Sequence, residues 1–297
     1  MSTSRTATPS AAASGSFTLG DLKVHRLGFG AMRLTGNGIW GEPRDRSECI
    51  NVLKTALDLG VTLIDTADSY GPFVSEQIIA EALYPYPKDL VIATKAGLVR
   101  PGPSRWEPDC RPKHLREAVE GSLKRLRLER IDLLQLHTVD PKLPYAEQIG
   151  TLVELQREGK IRHIGVSNVE VDELEEARRL ATVVSVQNEY NLVTRDSEDV
   201  LAYCTRENIG FIPWFPLATG DLAEAGGPLA AIAHRLRATP AQVALAWLLA
   251  KSPVMLPIPG TASVGHLREN VGAANFTLGD DDFETIEGDA GVARRRP

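Results

Sequence analysis

Cysteine is scarce in this 297-residue chain, with only Cys49, Cys110 and Cys204, far apart and without a C-x-x-C pair. That odd, sparse count excludes a disulfide framework and a thiolate metal cluster, and it fits free thiols in a reducing compartment. Long apolar runs are missing as well. Nothing approaches the ~18 consecutive apolar residues of a membrane-spanning helix. Residues 2–16 are rich in Ser, Thr and Ala, and Ala11-Ala12-Ala13 is their only apolar stretch. A secretory signal would need an apolar core of ~7–15 residues there. The reading is a disordered tail over residues 1–16 on a cytoplasmic protein. Basic residues are not in excess either: 33 against 39 acidic residues give a net charge of −6. This balance argues against nucleic acid or a membrane as partner. The one basic run, Arg294-Arg295-Arg296, reads as a solvated end. No sequence period of ~20–50 residues recurs, and no low-complexity linker divides the chain.

What is present is an ordinary globular composition, 43% hydrophobic and 24% charged. Phe17-Thr18-Leu19 and Leu22-Lys23-Val24 flank Gly20-Asp21 and read as an opening β-hairpin. Eight strand-length apolar runs follow: Leu27–Met32, Val61–Ile64, Leu90–Thr94, Ile131–Leu136, Ile161–Val166, Val183–Val186, Gly210–Pro213 and Val254–Ile258. Segments of period near 3.6 alternate with them: Ser47–Leu59, Ser75–Leu83, Arg111–Leu126, Ala146–Glu158, Val171–Ala181, Glu198–Glu207, Pro240–Lys251 and Ser263–Ala273. Gly60 supplies a helix C-terminus, and Thr239-Pro240 a cap followed by proline at the first helical position. Strict strand–helix alternation predicts a single α/β domain over 17–297, a (β/α)₈ TIM barrel. An open Rossmann sheet would need glycine where Arg33 stands, after Gly28-Phe29-Gly30. Segments 97–110 and 218–227, rich in Gly, Pro and polar residues, read as long loops on the C-terminal rim, where barrels keep their chemistry.

Residues just after the apolar runs therefore converge on one mouth. Asp65 follows Val61–Ile64, with Tyr70 five positions on; Lys95 follows Leu90–Thr94; His137 follows Ile131–Leu136. Singly, each is weak: a turn-forming Asp, a packing Tyr, a snorkelling Lys, an interior His. Together they compose a proton-donating site. A tyrosine ionises near pH ~10. An adjacent ammonium favours the phenolate and lowers that value, while a carboxylate keeps the lysine charged and oriented. Tyr70 beside Lys95 and Asp65 thus reads as a general acid, and His137 as a hydrogen-bonding partner of the same substrate oxygen. No serine or cysteine is paired with a base, and no metal-ligand spacing occurs. Such a site protonates an oxygen while another group delivers hydride.

Those residues resemble the tetrad of the aldo-keto reductases, NADPH-dependent (β/α)₈ barrel enzymes. The likeness continues in Leu27-Gly-Phe-Gly-Ala-Met32, Ile64-Asp-Thr-Ala-Asp-Ser-Tyr-Gly71, Ile164-Gly-Val-Ser-Asn168, Gln187-Asn-Glu-Tyr-Asn191, Pro213-Trp-Phe-Pro-Leu217 and Ile258-Pro-Gly-Thr261, the last followed by Leu267-Arg-Glu-Asn270. It implies that Ser167, Asn168 and Gln187 bind the nicotinamide carboxamide and that Trp214 stacks on the ring. Gly30, Ala31 and Met32 would approach the nicotinamide ribose and substrate, with Asp65 close by. Leu217, Gly220 and Asp221 would follow the pyrophosphate. Thr261, Ser263, Glu269 and Asn270 would surround the adenosine end beside a helix N-terminus suited to phosphate. Phe215, Pro216, Ile258 and Gly260 complete the cofactor-facing set. Many relatives carry Lys and Arg where this chain has Gly260 and His266, leaving His266 or Arg268 to meet the 2′-phosphate.

The segments Gly38–Arg46 and Ala82–Pro87 look like a bacterial branch of the family that includes pyridoxal reductase. Trp40 and Trp106, with Tyr70 and His137, would line a pocket for a flat or apolar aldehyde, although packing explains both tryptophans equally well. The expected activity is NADPH-dependent reduction of a small-molecule carbonyl to an alcohol, with pyridoxal as a candidate. Two alternatives stay open: an NADP⁺-dependent alcohol dehydrogenase acting on a pyridoxine-type substrate, and a low-turnover NADPH-sensing regulatory subunit. Oligomeric state has no signature in the sequence.

Overall fold

Parallel strands with helices outside them make up the body of the molecule, seen here in a computed structural model that describes residues 9–217 and 228–293. Strands β1 (Ser16–Leu19) and β2 (Leu22–His25) form the expected hairpin, in register from Ser16 opposite His25 to Leu19 opposite Leu22. Its turn needs glycine twice over. Gly20 has φ +65°, and a Cβ there would lie 2.3 Å from the His163 ring. Asp21 in the same turn pairs with Arg162 and His163.

The alternation then runs β3 (Phe29–Gly30), α1 (Arg46–Asp58), β4 (Leu63–Asp65), α2 (Val74–Leu83), β5 (Val91–Ala96), β6 (Leu98–Gly102), β7 (Arg105–Pro108) and α3 (Pro112–Leu126). It continues through β8 (Ile131–Leu136), α4 (Tyr145–Arg157), β9 (Ile161–Ser167), α5 (Val171–Leu180), β10 (Val183–Glu189), α6 (Glu198–Glu207), β11 (Gly210–Trp214), α7 (Pro228–Leu236), α8 (Pro240–Lys251), α9 (Val264–Gly272) and α10 (Asp280–Ala293). Seven parallel strands pair in the order β11-β10-β9-β8-β5-β4-β3. The eighth run closes the ring as irregular backbone. Phe211 N–H donates to Val254 O at 2.8 Å, and Leu256 N–H to Phe211 O at 2.8 Å. On the other side Gly28 N–H donates to Pro257 O at 2.9 Å and Gly30 N–H to Pro259 O at 3.5 Å. Pro257 and Pro259 have no N–H to give back, so this segment closes the barrel without a full ladder.

The helices form where their ends are satisfied. Asp45 accepts from Glu48 N–H at the start of α1 at 2.9 Å. Thr239 and Gln242 make a reciprocal capping box at α8, with Pro240 in the first turn. The predicted helices match within a residue or so, but two were not read from the sequence. One is α7; the other is α10, whose Phe283 ring stacks on the fully buried Trp247 and whose Glu287 accepts from Trp247 Nε1.

Three expectations are corrected. The tail predicted for 1–16 is ordered from Pro9 on; residues 1–8 and the basic run at 294–296 lie outside the described residues. Ala11–Ser14 is a 3₁₀ turn with Ala11 fully buried, anchored by Ala11 N–H to Leu59 O and Leu27 N–H to Ser14 Oγ. The rim loop at 97–110 contains the β6–β7 hairpin. Leu27–Met32 is strand only at Phe29–Gly30 and then turns into a 3₁₀ segment, Ala31–Leu34. Among the described residues no helix is long and apolar enough to cross a membrane.

Candidate active site

Strand ends deliver the side chains. Asp65 closes β4, Lys95 is the penultimate residue of β5, His137 follows β8, Ser167 closes β9, and Gln187 stands on β10. Tyr70 enters from the turn between β4 and α2, with its N–H on Ala67 O at 3.2 Å. Lys95 is fully buried and its ammonium spends all three donors. It reaches Asp65 Oδ2 at 2.6 Å, Thr66 O at 2.9 Å and Tyr70 Oη at 3.2 Å. Asp65 Oδ1 accepts from Gln135 Nε2 at 3.0 Å and Gln187 Nε2 at 2.8 Å. Gln135 is a member of this network that the motif reading passed over; it sits inside the Ile131–Leu136 apolar run, where a polar residue has no fit with packing alone.

Electrostatics follow from this burial. Burial opposes the charge on Lys95, but Asp65 and Tyr70 outweigh it and hold the ammonium above its ordinary range. Burial pushes the Tyr70 phenol up, and the Lys95 charge only partly offsets it. The expectation of a lowered phenol is thus corrected: desolvation outweighs the ammonium. Burial also drives His137 well below its usual value, with Lys95 and Arg100 adding to the effect, so the imidazole is neutral at neutral pH. Its Nδ1 lies 3.4 Å from Ser69 Oγ, and its ring meets those of Tyr70 and Trp106 edge-on at centroid distances of 6.0 and 6.1 Å. Behind Tyr70, Asp68 is buried with no partner for Oδ1. Burial, then neighbouring Glu76, raise its carboxyl to about 8, against Arg125.

These groups open onto a cavity of about 330 Å³. Of the residues singled out in the sequence, Gly30, Met32, Asp65, Tyr70, Trp106, His137, Ser167, Asn168, Gln187, Trp214, Phe215, Pro216, Ile258 and Gly260 line it. Arg33, Ile39 and Leu98 line it too, although the motifs did not point to them. Trp40 does not. It faces a neighbouring polar hollow with Asn37 and Arg44, which corrects its assignment to the substrate wall. One wall carries oxygens with acceptor capacity to spare, Ser167 Oγ, Asn168 Oδ1 and Gln187 Oε1, which suit the N–H₂ of an amide on a flat ring. Asn168, held at φ +57°, donates from Nδ2 to His137 O at 2.9 Å and accepts Trp214 Nε1 on Oδ1 at 2.9 Å. Ser167 Oγ donates to Gln187 O at 2.7 Å. That set fits a nicotinamide. Ser167 and Asn168 do not cap α5, where Glu170 and Glu173 form the capping box instead.

Further out the fit is looser. Ala31 is buried and offers its carbonyl to Ser75 Oγ at 3.2 Å, while Leu217 packs on the core. Gly220 and Asp221 lie outside the described residues. Thr261 Oγ1 accepts from Ser263 N–H at 3.1 Å, and Asn270 is buried. Glu269 Oε1 accepts from Thr239 Oγ1 at 2.6 Å and so ties α9 to α8. His266 and Arg268 are exposed. The first N–H of α9, Val264, donates to the Glu48 carboxylate at 3.1 Å. A carboxylate from α1 therefore already stands at the helix end that the motif reading offered to a phosphate.

The Aldo/keto reductase family profile matches residues 26–289. An uncharacterized oxidoreductase of Schizosaccharomyces pombe, C215.11c, is 51% identical over 96% of this chain and 94% of its own. Pyridoxine 4-dehydrogenase of Escherichia coli is 45% identical over 93% of this chain and 98% of its own. Among solved structures, an aldo-keto reductase from Klebsiella pneumoniae in complex with NADPH superposes with a TM-score of 0.77 at 26% identity, covering 90% of this chain and 91% of that one.

Proposed function

The chain belongs to the aldo/keto reductase family, and we propose that it is an NADP(H)-dependent oxidoreductase that reduces a flat ring aldehyde of the pyridoxal type to its alcohol. The observation that carries this reading is the buried contact of Lys95 Nζ with Tyr70 Oη at 3.2 Å, in the wall of a largely apolar cavity. NADPH, when bound, supplies hydride to the carbonyl carbon. Ser167, Asn168 and Gln187 would hold its carboxamide, and Trp214 would cover the ring face. The Klebsiella relative binds NADPH on the same fold. The Escherichia relative is named for pyridoxine, the alcohol of the same couple.

Tyr70 performs the proton step. Its raised phenol stays protonated through neutral pH, so the donor is loaded before substrate arrives. As negative charge grows on the carbonyl oxygen, Tyr70 Oη releases its proton to it. The phenolate left behind is met by the Lys95 ammonium, which Asp65 fixes in place. Neutral His137 retains one ring N–H to donate to the same oxygen, orienting it without competing as an acid. Aromatic walls exclude water, which strengthens each of these bonds. The same residues support the reverse reaction, with Tyr70 receiving the proton of the alcohol.

Loss of reduced-nicotinamide absorbance across an aldehyde panel that includes pyridoxal tests the proposal, with pyridoxine and NADP⁺ run in reverse. Pyridoxal is expected among the best substrates. Absence of turnover with every carbonyl, in both directions, would refute the reading.

A further inference from the structure

Arg100 stands on β6, in the hairpin over the mouth, and no carboxylate pairs with it among the described ion pairs. Its five N–H donors go to main-chain carbonyls instead. Nε donates to Arg105 O at 2.8 Å across the hairpin. Nη1 donates to Ile39 O at 2.8 Å and Ser69 O at 2.9 Å, and Nη2 to Gly38 O at 2.8 Å, with Gly102 O at 3.5 Å. One guanidinium thus joins the hairpin, the segment around Ile39, and the turn that carries Tyr70. Its face lies 3.6 Å from the centroid of Trp106 and 5.7 Å from that of Trp40. Trp106 in turn meets Tyr70 edge-on at 6.2 Å and His137 at 6.1 Å.

We propose that Arg100 is a positioning residue for ring recognition: by clasping three backbone segments and stacking on Trp106, it fixes that indole as a rigid wall beside Tyr70 and His137. A saturated guanidinium has no donor left for a substrate anion, so its effect on substrate passes through Trp106. A flat ring gains from a wall held still, because the ordering of the indole is complete before binding. A small aliphatic aldehyde has no ring to lay against that wall and gains little. The assignment rests on reading the cavity as the carbonyl site.

Arg100→Lys keeps the charge but loses the planar fork. With pyridoxal and propanal as probes, the loss in kcat/KM for pyridoxal should exceed that for propanal by about tenfold, one good aromatic contact. It should appear mainly in KM. Trp106→Leu keeps the clasp and removes the ring, so it should reproduce the same selective loss, and it answers the question if the lysine variant fails to fold. Combined, the two substitutions should cost little more than either alone. Equal losses on both aldehydes, or no change in their ratio, would overturn the assignment while leaving the proton-transfer site intact. Inactivity of the wild-type protein on both aldehydes would instead overturn the reading of the cavity, and this assignment with it.

Discussion

The two ends of the proposed binding cleft are built on opposite plans. Beside Tyr70, the Lys95–Asp65 pair is buried and committed: Lys95 has three partners, and both Asp65 oxygens are bonded. At the start of α9, His266 and Arg268 stand in solvent, Gly260 supplies no cation, and Glu48 takes the first free N–H. Moving a proton requires fixed distances in a dry setting, where each bond is strong. Gripping a phosphate requires only charge, and charge acts through water at reduced strength. The inner end should therefore be intolerant of change and the outer end adjustable.

Lys95→Met gives the largest effect expected. It strands a buried carboxylate, a loss of about 3–5 kcal/mol in stability, and removes the charge that receives the phenolate. Its kcat should fall at least as far as that of Tyr70→Phe, and the alkaline limb of the rate profile should move to higher pH. An unchanged profile would break the coupling between the two residues. Tyr70→Phe should lower kcat by about 10²–10⁴-fold with cofactor affinity nearly unchanged. Activity close to wild type would remove Tyr70 from the proton step.

Asp68 allows a test that needs no turnover. Its carboxyl titrates near 8 in the folded chain against an ordinary 3.8, so between these values the native state holds a proton that the unfolded state does not. Stability should then fall as pH rises from about 4 to about 8. Asp68→Asn should flatten that slope, read as the thermal midpoint across the same window at ~2–4 °C per kcal/mol. An identical slope in the variant would assign the dependence to other groups.

The smallest effect belongs to the outer end. Glu48→Gln keeps an oxygen for Val264 N–H and removes the charge. NADPH should gain about two- to fivefold over NADH in dissociation constant, measured by quenching of tryptophan emission. The gain should shrink with added salt. Equal shifts for both cofactors would show that Glu48 does not sense the 2′-phosphate.

The same contrast explains what was legible in the sequence. Asp65, Lys95 and His137 each end an apolar run, so strand periodicity alone carried them to the mouth. Cap chemistry located α8 at Thr239-Pro240. What stayed hidden depends on contacts between distant segments. Glu48 and Val264 are 216 positions apart, and no local pattern joins them. Pro101, Gly102 and Pro103 made the β6–β7 hairpin look like loop, which concealed Arg100 and Leu98. Asp280-Asp281-Asp282 offers no apolar stripe to announce a helix, yet Phe283 and Glu287 behind it dock α10 on Trp247. Ala11–Ser14 has no periodicity, and its order comes from Leu59 and Leu27. The direction of the Tyr70 shift turned on depth of burial, which motif spacing does not encode.

A clasp that addresses only carbonyl oxygens is blind to side chains. Ile39, Ser69 and Arg105 can each be exchanged without costing Arg100 a bond, since every residue type brings the same carbonyl. Gly38 is the exception, because its φ of +68° and a Cβ 2.9 Å from Ser104 Oγ restrict it to glycine. The mouth thus separates its framework from its lining. Natural divergence, or a mutagenesis library at Ile39 and Leu98, can recut the pocket for new aldehydes one substitution at a time while the frame holds its shape.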